Sequence, residues 1–117
     1  MKRKSLNVKK TSHKEILSYL SDVKIEKIYR IFRENIRDIK KKNCYSAAIS
    51  GGPDSLALAY LIKCYNLETS QKVRYIHVDH DLRVNSAIEA KKTKFLLHKI
   101  GINLKILKWK GRKPTSN

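Results

Sequence analysis

One stretch constrains this chain more than any other. An apolar run from Tyr45 to Ile49 leads into Ser50-Gly51-Gly52-Pro53-Asp54-Ser55, and a second apolar run, Leu56 to Ile62, follows at once. A short apolar run, a glycine pair and a proline-opened run predict a strand, a tight loop and a helix. Two glycines without Cβ let backbone N–H groups close on an anion, and the start of the helix adds unpaired donors and partial positive charge at the same spot. Ser50 and Ser55 add hydroxyls. The plainer alternative is an ordinary helix start, with Asp54 merely complementing the helix dipole. Six consecutive residues set between a strand and a helix are a more specific signal than that.

The common phosphate loop needs Lys followed by Ser or Thr after its last glycine, and here Pro53-Asp54 stands in that place. This is a different cradle. An aspartate beside phosphate repels it unless a divalent cation lies between them, so Asp54 implies magnesium. The six residues resemble the signature of the ATP pyrophosphatases, the PP-loop family. The resemblance implies that Ser50, Gly51, Gly52, Pro53, Asp54 and Ser55 hold the pyrophosphate end of ATP. Asp54 then carries Mg2+ and serves catalysis, while a substrate oxygen attacks the α-phosphate to give an adenylate and free pyrophosphate.

A second segment narrows the reading. Lys72-Val73-Arg74-Tyr75-Ile76-His77-Val78 is rich in β-branched residues and runs into Asp79-His80-Asp81-Leu82-Arg83-Val84-Asn85-Ser86-Ala87-Ile88-Glu89-Ala90. Polar residues therefore collect at the carboxyl end of a strand, where open α/β sheets bind ligands. The proline inside the loop, the Asp-His-x-Leu-Arg stretch and the Ser-x-x-Glu-Ala helix start together resemble the tRNA(Ile)-lysidine synthetase family. Trp109 to Asn117 is similar to the stretch after that family's third strand, so the resemblance runs from about Ser21 to the last residue. Asp81 departs from the pattern, which has glycine or asparagine there.

The resemblance implies a ligase acting on isoleucine tRNA with ATP and free L-lysine. The wobble cytidine's carbonyl oxygen is adenylated, and the lysine side-chain amine displaces AMP. It further implies Asp79 as a second magnesium ligand or an adenosine contact, and His80 and Arg83 as groups steadying phosphate charge or the incoming base. The location it implies is cytoplasmic, or an organelle stroma. Local chemistry offers other roles. Ser86 and Glu89 fit a capping box, and Arg83 fits a surface pair with Asp79 or Asp81. His77, Asp79, His80 and Asp81 could converge on a metal, but no distant cluster completes such a site. Two alternatives for the whole chain are another PP-loop ATP pyrophosphatase, such as a tRNA thiolase, and a non-catalytic basic RNA-binding remnant. Only two cysteines, Cys44 and Cys64, are present and they are far apart, which argues against sulfur transfer and against a disulfide framework.

With 27 basic against 10 acidic residues the formal charge is +17, which favours polyanions such as RNA. Because 20 of the basic residues are lysine, an AT-rich coding sequence would give the same bias. The surplus is divided almost equally, +9 over residues 1–42 and +8 over residues 43–117, so it marks no single footprint. No transmembrane run or signal-peptide core is present. The predicted fold is α/β: a Rossmann-like, doubly wound parallel sheet of the adenine nucleotide alpha hydrolase-like type, truncated after the third strand, with N-terminal helices. Residues 1–20 read as a basic, partly disordered extension, with a helix start at Ser12, and 21–117 as the N-terminal part of the ATP-binding domain. Ile25, Ile28, Phe32, Ile36 and Ile39 form a stripe expected to lie against the first strand. Helices are expected from Ser21 or Asp22 to Lys42, from Asp54 to Cys64 and from Ser86 to Ile100. If Asn117 is a true end, the expectation is weak ATP binding without tRNA modification.

Overall fold

The computed structural model describes residues 10–37, 44–69 and 71–112. The first nine residues of the expected 1–20 extension lie outside them, as do Ile39 and the stretch from 38 to Lys42. In chain order the elements are α1 (His13–Ser18), a 3-10 turn (Tyr19–Ser21), α2 (Val23–Arg37), β1 (Cys44–Ala48), α3 (Pro53–Thr69), β2 (Lys72–Asp79), α4 (Ser86–Lys99) and β3 (Leu104–Lys108). The three strands form one parallel sheet in the order β1-β2-β3, with Ala47 opposite Tyr75 and Tyr75 opposite Leu104. This is the predicted Rossmann-like architecture.

Alternation along the strands decides where the core lies. Ala47, Ile49, Tyr75 and Leu104 share one face and are buried with Ala59 of α3 and Leu97 of α4, so both crossover helices cover that face. The other face presents Ser46, Ala48, Arg74, Val78, Lys105 and Leu107, all exposed, and no described helix covers it. The reason is topological. Helices reach the second face of a doubly wound sheet only where the strand order reverses, and the order 1-2-3 contains no reversal.

Helix α3 is sandwiched, so it is apolar on two sides. Leu56, Ala59 and Ile62 face the sheet, while Tyr60, Leu61, Cys64 and Tyr65 pack with Ile16, Tyr29 and Phe32 of α1 and α2. Helix α2 thus docks on α3 and not on β1, because α3 and α4 already occupy the buried side of the strand. Its docking stripe is Ile25, Tyr29, Phe32 and Ile36, while Ile28 is 56% exposed. Tyr29 buries its ring because its hydroxyl donates to Glu68 at 2.9 Å, and burial pushes its phenol well above the usual tyrosine range. The same contacts carry α3 five residues past its expected end at Cys64, to Thr69. Ser12 caps α1 as its spacing to Glu15 predicts, its hydroxyl accepting from Glu15 N–H at 3.1 Å. No helix among the described residues is long and apolar enough to cross a membrane.

Candidate functional site

The ladder between β1 and β2 holds up to the edge of the loop, where Ile49 N–H donates to Ile76 C=O at 2.8 Å. The chain then turns through Gly51, whose φ of 98° lies in the region that side chains rarely adopt. A Cβ there would also stand 2.8 Å from Thr93 Oγ1, so α4 backs the loop directly. Thr93 is itself buried and donates to Glu89 C=O at 3.0 Å. Gly52 C=O accepts the first helical bond of α3 from Leu56 N–H at 2.9 Å, and Pro53 is the first helical residue.

The donors of this loop are divided. Ser50 N–H donates to Ser55 Oγ at 2.8 Å, which ties the two ends of the loop together. Gly52 N–H approaches Ser50 Oγ at 3.4 Å, a long contact. The N–H groups of Gly51, Asp54 and Ser55 find no acceptor among the described residues. Asp54 is exposed on the first turn of α3 and makes no ion pair with any described residue. Unpaired amides at a helix N-terminus and one free carboxylate match what a magnesium-bound phosphate chain needs, since Mg2+ takes one or two carboxylates and fills its shell with phosphate oxygens and water.

The turn after β2 is arranged differently. Asp79 is 4% exposed; its Oδ1 accepts from Asp81 N–H at 2.9 Å and its main-chain carbonyl accepts from Trp109 N–H at 2.8 Å. Asp81 has φ of 53°, a left-handed conformation that glycine and asparagine adopt more readily than other residues. His80 is exposed and stands edge-on to Trp109, with ring centroids 5.5 Å apart. Arg83 engages an acid farther along the chain than Asp79 and Asp81: its guanidinium donates to Glu89 Oε2 at 2.6 Å, and its N–H donates to Ser86 Oγ at 3.2 Å. The capping box expected of Ser86 and Glu89 is therefore absent. Asn85 takes the N-cap position with no side-chain bond, and Glu89 N–H donates to Asn85 C=O. Glu89 reaches Arg83 because the turn folds the arginine back over the first helical turn.

A cleft of about 390 Å³ opens at the carboxyl ends of β1 and β2. Its walls are the strand ends (Ala48, Ile49 and Ile76 to Asp79), Ser50, the turn residues His80, Leu82 and Arg83, and the start of α4 at Ser86 and Glu89. Of the predicted site residues it gathers Ser50, Asp79, His80 and Arg83, while Gly51, Gly52, Pro53, Asp54 and Ser55 lie on the adjoining loop outside its lining. His77 also lines the cleft; the sequence offered it only as one member of an incomplete metal cluster with Asp79, His80 and Asp81. Its Nδ1 lies 2.7 Å from Ile49 C=O, and a carbonyl only accepts, so Nδ1 carries the proton. The signal was present: alternation puts His77 on the face of Asp79, two residues before it. Among the described residues no three His, Cys, Asp or Glu side chains converge on a metal position.

A glycine loop opening a helix, set at the carboxyl end of a parallel α/β sheet, defines a phosphate-binding nucleotide protein. The sequence pattern of the PP-loop domain matches residues 20–116, and the chain belongs to that family. More particularly, the chain is similar to the tRNA(Ile)-lysidine synthase of Brucella anthropi, at 35% identity over 99 residues, which are 83% of this chain and 21% of that protein. It is 44% identical to the Brucella ovis protein of the same name over 70 residues, 58% of this chain and 16% of the relative. With the Bradyrhizobium diazoefficiens tRNA(Ile)-lysidine synthase it shares 35% over 79 residues, 66% of this chain and 22% of the relative. The chain spans about a fifth of the length of these curated relatives.

Proposed function

We propose that this chain supplies the ATP site of a tRNA-modifying ligase that joins lysine to the wobble cytidine of an isoleucine tRNA. The observation that carries the proposal is the set of unpaired N–H groups at Gly51, Asp54 and Ser55, held open by a glycine in a conformation other residues avoid. In this reading those amides hold the β- and γ-phosphates, and Asp54 holds Mg2+. When bound, the ion neutralises charge on the departing diphosphate. The cytosine carbonyl oxygen attacks the α-phosphorus and the bond to the β-phosphate oxygen breaks. The lysine amine then attacks the activated ring carbon, and AMP leaves with that oxygen. The protein's share is positioning and charge, as in phosphoryl chemistry generally. Asp79, His80 and Arg83 border the cleft where the adenosine or the base would enter.

Cysteine-based sulfur transfer is disfavoured by placement. Cys64 is buried in the α1-α2-α3 core, where burial pushes its thiol up, and Cys44 lies at the end of β1 opposite the loop. Two experiments test the proposal. Calorimetric titration of ATP with Mg2+ into wild type and Asp54→Asn should show binding weakened at least about tenfold, which corresponds to 1.4 kcal/mol; equal affinities would remove the assigned role of Asp54. Labelled lysine, ATP and isoleucine tRNA should give label in RNA when the ligase is intact, and label confined to free lysine would contradict the lysidine reading.

A further inference from the structure

Helix α4 is apolar on both sides. Ala90, Thr93 and Leu97 are buried against the sheet and the loop, yet Ile88 and Phe95, 55% and 47% exposed, project from the opposite side, and Leu96 beside them is 48% exposed. A surface helix normally turns polar residues outward. Here Ile88, Phe95 and Leu96 combine with Lys91 and Lys92 into a shallow groove of about 390 Å³. Lys99 completes the stripe, its ammonium 5.0 Å from the centre of the Phe95 ring. Lys94 adds a further cation, and the helix carries one acid, Glu89, which Arg83 already engages.

We propose that this outer side of α4 is a docking surface for single-stranded RNA. The charge of the stripe selects a polyanion, and it disfavours a second copy of this chain, which would bring the lysines face to face. The exposed aromatic and aliphatic side chains select a polyanion with flat apolar faces. Single-stranded RNA offers both: a base stacks on Phe95 with Ile88 and Leu96 beside it, and the backbone phosphates meet Lys91, Lys92 and Lys99. An RNA duplex hides its bases and does not fit. The groove and the cleft lie on the same helix, Ser86 and Glu89 of its first turn lining the cleft and Ile88 to Leu96 the groove. A strand with one nucleotide at the cleft would run along the helix from its N-terminus. The inference rests on the RNA substrate of the proposed function, but not on the phosphate loop.

The test uses a short oligouridylate and fluorescence anisotropy over a range of salt. Phe95→Ala should weaken binding about tenfold, and Phe95→Trp should restore it, as stacking on an aromatic face requires. Lys91→Ala with Lys92→Ala should flatten the dependence of log affinity on log salt by about 1.4, the value for two single-strand phosphate contacts. ATP with Mg2+ should bind all of these variants as it binds wild type. RNA affinity indifferent to both the Phe95 and the lysine changes would overturn the proposal. So would a wild type that binds no oligouridylate, or variants that lose binding only to phosphatidylserine vesicles. If the RNA effects appear while wild type binds no ATP, the surface stands and the nucleotide assignment falls.

Discussion

Two turns leave the same edge of the same sheet, and they use the acids beside them in different ways. After β1, the residues Ser50 to Ser55 leave three N–H groups without an acceptor among the described residues, and an exposed carboxylate stands next to them. After β2, the acids are engaged within the turn: Asp79 takes Asp81 N–H and Glu89 takes the Arg83 guanidinium, while Ser86 takes Arg83 N–H. Topology brings both turns to the ligand-binding edge. Readiness for a cation-bound anion then depends on whether a carboxylate beside the open amides is left unengaged. Ser55 takes only Ser50 N–H and Gly51 has no side chain to offer, so the amides of Gly51, Asp54 and Ser55 stay open beside the Asp54 carboxylate.

This contrast is breakable at its strongest point by Gly51→Ala. Strain at φ of 98° and the clash with Thr93 Oγ1 should together remove about 2–3 kcal/mol of stability, read by urea unfolding. Adding Thr93→Ala should return only part of it, since the backbone strain remains; full recovery would show that crowding alone matters. A smaller loss is expected of His77→Ala, about 1–2 kcal/mol, because Ile49 C=O loses its donor at the base of the loop. His77→Asn should recover stability and ATP affinity together, since its amide can donate from nearly the same place. If Ala and Asn behave alike, His77 does not position the loop. The mildest change sharpens the second turn. Asp81→Asn should stabilise by about 0.5 kcal/mol or less, because asparagine tolerates φ of 53° well. A clear loss in thermal unfolding would mean that the Asp81 carboxylate, 4.0 Å from the Lys108 ammonium, contributes more than an exposed pair normally does.

The parts legible in the sequence are those set by local signals. Strand β2 has the expected bounds, Lys72 to Asp79, because β-branched residues fill it and a polar cluster ends it. The Ser12 cap and the strand-loop-helix around Gly51 follow from neighbouring residues in the same way. What escaped depends on partners distant in the chain. Tyr29 is buried only because Glu68 meets its hydroxyl, and α3 extends to Thr69 only because α2 covers it. Arg83 had several acids within reach, and spacing does not say which one the folded turn presents. Asp81 was visible as a departure from a pattern, while its meaning, a left-handed turn, needed the backbone.

The central claim is that the amides around Gly51 are the phosphate site. Backbone amide NMR during titration of ATP with Mg2+ tests it most directly. The largest shifts should fall on Gly51, Gly52, Asp54 and Ser55, with little change at Asp81 and Arg83, whose amides are already taken. Shifts centred on the second turn, with the glycine amides unmoved, would contradict it.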